Sequence, residues 1–387
     1  MSDERDIYVN GERVAVLGRD AAGRYVHTYL PDAGADCFVS LLMPVRRASY
    51  SWPTLHPVYA AALPTGEVRR ALDDALVRAG VASAYALLDT HRLRLGRLEV
   101  ALPGHPPLPE PAAASPGLLT LSDTGPAFRA LFEAQFTVPV ALPRDASRPL
   151  EAIDREAIYR ADPADGAELY NEYCALTIAR RAGFDVPEAE LSADRRLLRL
   201  PRFDGLSGAR HAVEDFCSLQ ALAPESRYAG SAERLTSFAA ALAPAVARTA
   251  VRRELFRRLV LSHLLVDTDR HLMTYAVLSE SLGSFKLAPI VGLRTAWERP
   301  LDDPALVPAL AINGERRFAH KPGTLRRLGA HCALSERETR AIIAWLVSAQ
   351  QAAEAELLAA SDARTRPWLT RLQRVWRAGR DLLEAAH

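Results

Sequence analysis

At 387 residues the chain is long enough for two or three domains, each with a core of its own. Its 49% hydrophobic and 25% charged content are ordinary globular values, and a formal net charge of +1 exerts no overall pull toward nucleic acid or membrane. No apolar run approaches the roughly 20 residues needed to span a bilayer, and the acidic start M-S-D-E-R-D lacks a signal-peptide core, so a soluble cytoplasmic protein is expected.

Residues 6–17 read as two alternating strands joined by Asn10-Gly11, with a third strand after Gly23 and β character continuing from Cys37 to Met43. At Thr65 the period changes, and Val68, Leu72 and Leu76 mark a helix; Arg94 to Ala101 adds another strand. Six prolines between Pro103 and Gly117 exclude helix or sheet interior there and predict a linker. A short helix carrying Phe128, Leu131, Phe132 and Phe136 follows, then a Pro- and Arg-rich stretch to about Ala164. Leu169, Tyr173 and Leu176 stripe a helix that Gly183 stops, with Glu172 bordering the stripe. Strands are expected at Glu188–Leu191 and Leu197–Arg202, and Arg202 and Asp204 read as a local ion pair. Beyond residue 210 the chain reads as mostly helical, including V-E-D-F-C-S-L-Q-A-L. The carboxylates Glu214 and Asp215 there divide evenly between helix N-terminal residues and spare site ligands. Ser335 and Glu338 form a capping box, and the last helix buries Trp368, Leu372, Val375 and Trp376 or Leu383 under an arginine stripe that reads as a solvated face.

The four cysteines are scattered and form no zinc-ligand spacing, so they are expected to be reduced and structural. Of 48 basic residues only Lys286 and Lys321 are lysines, which excludes any mechanism needing an N-terminal lysine as phosphate ligand.

The densest polar cluster is V-D-T-D-R-H-L-M-T at 266–274. It follows a helix with Leu255, Leu259 and His263 at four-residue spacing and precedes a strand, a turn at Ser281-Leu282-Gly283 and a second strand. Rigid elements on both sides of a polar loop are the usual support for catalytic side chains. Taken alone, such a cluster more often ends a helix and solvates a loop.

A β-rich lobe with a glutamate-bearing helix, a helical lobe and this helix-to-loop corner outline a protein kinase. The spellings are similar to those of the HipA family of toxin–antitoxin kinases. They are I-Y-V-N-G-E-R-V near the start, L-P-T-G-E-V-R-R-A-L at 63–72, N-E-Y-C-A-L at 171–176, R-F-D at 202–204, V-E-D-F-C at 213–217, D-T-D-R-H at 267–271, L-A-P at 287–289 and L-A-I-N-G-E-R-R-F at 310–318. The expected fold is therefore α+β, a protein-kinase-like two-lobed HipA-like fold. An N-terminal α+β subdomain would occupy 1–103, a Pro-rich linker 104–117, the kinase-like N-lobe 118–205 and a mainly helical C-lobe 206–387.

The resemblance implies a serine/threonine kinase using ATP and Mg2+, with an antitoxin-like helix-turn-helix protein or a kinase paralogue as partner. DNA would be reached only through such a partner, and no membrane is involved. The family's catalytic aspartate falls on Asp269, its companion histidine on His271, and its helix glutamate on Glu172. His271 itself reads as a structural donor holding the loop, since Asp269 already fills the acceptor role. The other positions depart. Where the family resembles D-x-H-x-K-N, Met273 and Thr274 stand for lysine and asparagine, and Gly292 stands where a metal-binding aspartate follows L-x-P. Ala146-Ser147-Arg148-Pro149-Leu150 replaces the phosphate loop, and Arg160 replaces the strand lysine, able to pair with Glu172 but bulkier than an ammonium. Arg148, Arg160, Glu172 and Thr274 are then the implied nucleotide contacts, and Asp267 and Asp269 the implied metal ligands. Four departures within one site favour a pseudokinase that acts through partner binding; the other reading is an active kinase with Asp269 as base.

Overall fold

The computed structural model describes residues 4–81, 85–92, 95–143, 148–206 and 209–386. The chain divides into two compact units. One comprises Met1–Leu169, Glu190–Pro224 and Ala276–Lys286; the other comprises Tyr170–Ala189, Glu225–Tyr275 and Leu287–His387.

In the first unit, strands β1 (Arg5–Val9), β2 (Glu12–Arg19), β3 (Tyr25–Tyr29), β4 (Tyr50–Trp52) and β5 (Leu98–Ala101) form an antiparallel sheet in the order β4-β3-β2-β1-β5. Asn10 and Gly11 both have positive φ, 50° and 78°, as the tight turn between right-twisted strands requires. Ile7, Val9, Val14, Leu17, Tyr25 and Tyr29 pack into one core with Tyr59 and Tyr85. A second core joins the helix Gly66–Arg78, through Leu72 and Leu76, to the helix Gly125–Glu133, through Phe128 and Phe132. It backs a four-stranded antiparallel sheet of β6 (Leu150–Ile153), β7 (Ala157–Ala161), β8 (Glu190–Leu191) and β9 (Leu197–Pro201), ordered β6-β7-β9-β8. The hairpin of β10 (Gly205–Leu206) and β11 (Ala209–Arg210) precedes a three-stranded sheet of β12 (Ala212–Asp215), β13 (Ala276–Ser281) and β14 (Ser284–Leu287).

Two local expectations are corrected. Cys37–Met43 is not a strand: a short 3-10 turn at Ala35–Cys37 is followed by turns. Side chains satisfy its backbone instead of a neighbouring strand. Val39 N–H donates to Tyr29 Oη at 3.0 Å, Tyr29 Oη donates to Met43 O at 2.6 Å, and Leu41 N–H donates to Glu214 Oε2 at 2.9 Å. The 213–222 stretch is helical only over Phe216–Leu219, because Val213 and Glu214 pair with Leu278 and Val277 on β13. Asp215 ends the strand and caps the turn, its Oδ1 accepting from Cys217 N–H at 2.8 Å and Ser218 N–H at 2.9 Å.

The Pro-rich stretch is held down by charge. Glu110 faces the guanidinium groups of Arg92 at 2.7 Å, Arg210 at 2.9 Å and Arg202 at 3.5 Å, and Ala114 N–H donates to Asp154 Oδ2 at 2.7 Å. Arg202 and Asp204 form a buried ion pair at 2.5 Å.

The second unit is helical. The helix Arg248–Leu264 is apolar on more than one face near its end, where Leu255, Phe256, Leu259, Val260, Leu261 and Leu264 are all buried. The helix Arg366–Ala386 buries Leu369, Leu372, Val375, Trp376 and Leu383, whereas Trp368 is only partly buried beside Tyr170. Its arginine stripe divides: Arg371 lies over the Trp297 ring and Arg380 reaches Gln350 and Glu354, while Arg374 and Arg377 stay exposed. The helix Glu336–Ala360 opens with the expected box, Ser335 Oγ accepting from Glu338 N–H while the Glu338 carboxylate accepts from Ser335 N–H. Ser335→Ala is expected to cost about 1 kcal/mol, read as a lower urea midpoint with unchanged slope. None of the four cysteines is in a disulfide, and among the described residues no helix is long and apolar enough to cross a membrane.

Candidate functional site

The helix Arg248–Leu264 ends in a reversal that aims the polar loop. Val266 N–H donates to His263 O at 3.1 Å and Asp267 N–H to Ser262 O at 2.8 Å, with Val266 at φ 53°. Glycine usually occupies this left-handed position; a β-branched residue there stores about 1–3 kcal/mol of strain. Buried packing of Val266 holds it in place.

Asp267 is buried, and both its oxygens take backbone N–H groups, Oδ1 from Asp269 at 2.9 Å and Oδ2 from Arg294 at 3.3 Å. Burial pushes its carboxyl up to about 6, against the opposing pull of Arg270 and Arg294. It braces the loop from inside. Arg270 turns away from the polar face, lying over the Tyr275 ring and donating to Val291 O at 2.7 Å.

Asp269 is the more open carboxylate, with about a quarter of its side chain exposed. Tyr228 Oη donates to its Oδ1 at 2.6 Å, and Arg294 Nη2 approaches Oδ2 at 3.5 Å. His271 Nε2 lies 3.9 Å from Oδ1, with the ring edge-on to Tyr228. Burial lowers the His271 imidazole to about 4 despite Asp269, so it is neutral at pH 7, and its Nδ1 is buried without a partner. Thr274 Oγ1 donates to His271 O at 2.7 Å, which commits the hydroxyl within the loop.

The neighbouring segment is fixed from the helix that carries Glu172. Glu172, 2% exposed, accepts from Gly292 N–H at 3.0 Å. One residue earlier, Asn171 clamps Thr295 by both backbone groups, at 2.8 and 2.9 Å, while Trp376 Nε1 donates to Thr295 Oγ1 at 2.8 Å. This unit therefore brings together Asp267, Asp269, His271, Thr274, Glu172 and Gly292. Arg148 and Arg160 belong to the other unit, where Arg160 Nε donates to Glu151 Oε2 at 3.1 Å between β7 and β6. Arg148 is exposed, and Ala146 and Ser147 lie outside the described residues. Glu214 and Asp215 also belong to that unit, Glu214 held by Ser40 and Leu41 and Asp215 by its capping bonds. Sequence reasoning missed Tyr228, Arg294 and Asn171. Only Asn171 had a local signal, since it precedes Glu172 in N-E-Y-C-A-L.

Magnesium takes several hard oxygen ligands in near-octahedral array. The donors at the loop match it poorly: Gly292 offers no side chain, Thr274 offers one neutral hydroxyl oxygen, and a guanidinium stands beside Asp269. Among the described residues no group of three or more His, Cys, Asp or Glu side chains is placed to hold a metal ion.

A family model described as the HipA-like C-terminal domain matches residues 154–354, and one described as the HipA N-terminal domain matches residues 5–100. In structure the chain is similar to the Shewanella oneidensis MR-1 toxin–antitoxin complex of HipA, HipB and operator DNA. The TM-score is 0.73 at 16% identity, with 98% of this chain and 99% of that chain covered, a likeness of fold. A second similarity, to the Helicobacter pylori proinflammatory kinase CtkA, has a TM-score of 0.42 at 12% identity over 63% of this chain and 94% of that one. No curated protein matches the chain in sequence. The α+β N-terminal part and the largely helical C-terminal lobe are those of a HipA-like two-lobed kinase fold. Since the C-terminal model alone spans more than half of the residues, the chain belongs to the HipA family.

Proposed function

We propose that this HipA-family chain is a pseudokinase that works by binding a partner instead of transferring phosphate. The observation carrying this reading is the state of Asp269, which is held between the Tyr228 hydroxyl and the Arg294 guanidinium. A catalytic base must be free to accept a substrate proton, and a metal ligand must face a cation it can coordinate. Arg294 already supplies a fixed positive charge there. Gly292 and Thr274 in place of metal ligands, and the absence of any lysine before Lys286, point the same way. The partner proposed is an antitoxin-like helix-turn-helix protein, by analogy with HipB in the Shewanella oneidensis complex, with DNA reached through it. An active serine/threonine kinase using Mg-ATP is the second reading, favoured by the exposed edge of Asp269.

Titrating ATP with and without magnesium is expected to leave the thermal midpoint unchanged at millimolar nucleotide. A magnesium-dependent rise that disappears in Asp269→Ala, with phosphate appearing on a serine or threonine, would overturn the pseudokinase. The partner arm co-expresses the chain with a small helix-turn-helix protein of the HipB type: a stable co-purifying complex supports the binding role, and separate elution counts against it.

A further inference from the structure

In the second unit, the segment 311–324 is tied at both ends and held in its middle by two rings. At one end Ala232 N–H donates to Ala311 O at 2.9 Å and Asn313 N–H to Glu233 Oε1 at 2.8 Å; at the other, Thr324 N–H donates to Lys321 O at 3.1 Å. Between them, residues 316–320 make no backbone hydrogen bond to another element among the described residues. Phe318 and His320, each 6% exposed, hold this middle part down. Their ring centroids lie 5.4 and 5.1 Å from that of His263, near the end of the helix Arg248–Leu264.

The pair of imidazoles is built for two neutral rings. His263 Nδ1 donates to Leu259 O at 2.9 Å, which places its proton there and leaves Nε2 as a lone pair. His263 Nε2 and both ring nitrogens of His320 are buried without a partner. A proton added to either ring would make a buried cation with no acceptor, set against a second imidazole. The charged groups that face the pair are Glu315 and Arg317 of the segment and Glu233 of the helix Ala232–Leu242. Glu315 already meets Lys321 at 3.2 Å and Arg317 at 3.4 Å. Burial lowers His263 to about 4, with His320 adding to the effect, and it lowers His320 against the opposing pull of Glu315 and Glu233.

We propose that His263 and His320 form a proton-operated latch: while both are neutral they hold residues 316–320 closed against the helix end, and a proton taken up by either ring releases the segment. Water solvates the imidazolium once the ring has left the interior. The closed state binds fewer protons than the open one below about pH 6.5, so closure is favoured above that pH and is lost as pH falls. Each ring can raise the opening constant by at most about tenfold per pH unit. The latch borders the polar loop, because His263 O accepts from Val266 N–H at 3.1 Å in the reversal that follows the helix. It uses neither Asp269 nor a nucleotide, and so stands apart from the pseudokinase reading.

Trypsin tests the latch on the full chain. Cleavage after Arg316 and Arg317, mapped by mass spectrometry of the first fragments, reports the open population when each rate is divided by that of a free peptide covering 312–323 at the same pH. Between pH 7.5 and 5.5 this normalised rate is expected to rise at least about tenfold, ahead of cleavage after Arg340 in the helix Glu336–Ala360. His320→Phe keeps a flat ring against His263 and Phe318 but binds no proton, and is expected to cut the rise at least about threefold. Should that variant fail to fold, His320→Asn serves the same purpose. A normalised rate that is level across this range, a rise that cleavage after Arg340 matches, or an unchanged rise in a folded His320 variant overturns the proposal.

Discussion

Replacing Gly379 with alanine is expected to lower the unfolding free energy by about 3 kcal/mol or more, whereas helix propensity alone predicts a gain of about 1 kcal/mol. Gly379 lies inside the helix Arg366–Ala386, where a Cβ would stand 2.1 Å from Leu264 O and 2.9 Å from its carbonyl carbon. Those atoms are backbone at the end of the helix Arg248–Leu264, so no rotamer change relieves the contact. Either the helices separate, uncovering Trp376 and Leu383, or the helix end shifts and carries Val266 and Asp267 with it. Urea denaturation decides between propensity and packing by the sign of the change. The same variant tests whether the loop is set by this contact, because the displaced helix end would weaken the Asp267 Oδ2 bond to Arg294 N–H. A stability equal to or above that of the parent would show that the helices give way without cost.

What could be read in advance divides by range. The Asn10-Gly11 hairpin, the capping box at Ser335 and the helix Arg248–Leu264 depend on neighbours a few positions apart, and each was legible in the sequence. Cys37–Met43 imitates a strand because it is an apolar run broken only by Ser40, while the groups that satisfy its backbone include Glu214, more than 170 positions away. The site divides in the same way. Asp269, His271 and Glu172 stand out through ordered family spellings, and all three lie in the second unit. The partners that define the state of Asp269, Tyr228 at 41 positions and Arg294 at 25, carry no local pattern, and the bond from Gly292 N–H to Glu172 spans 120 positions. An arginine beside the loop's open carboxylate also changes its chemistry without changing the spelling of the loop.

Acidification from pH 7 to pH 4 is expected to destabilise the protein by several kcal/mol, comparable with the whole stability of a domain. Burial depresses four imidazoles below their ordinary 6.5: His27 to about 3, and His56, His263 and His271 to about 4. For these groups the unfolded chain binds more protons than the folded one between about pH 6.5 and 4. Their stabilising effect is therefore present above 6.5 and is lost as pH falls, on the order of 3 kcal/mol for each. Buried carboxyls act with the opposite sign: burial raises Asp267 to about 6 and Glu214 to about 7, and it also raises Asp89, Glu99 and Asp215. The folded chain binds more protons there, and acid favours folding through them. In the second unit His263 and His271 stand against Asp267 alone, so the imidazoles prevail there and that unit is the one acid destabilises. The geometry agrees for His56, whose Nδ1 accepts from Val58 N–H at 3.2 Å and cannot do so once protonated. His56→Asn keeps an acceptor at that cap without a titrating group, and is expected to reduce the pH slope of stability by up to about 1.4 kcal/mol per pH unit. The readout is the urea midpoint between pH 7 and 4.5, where a flat profile in the parent would contradict the balance, and an unchanged slope in the variant would clear His56 of any part in it.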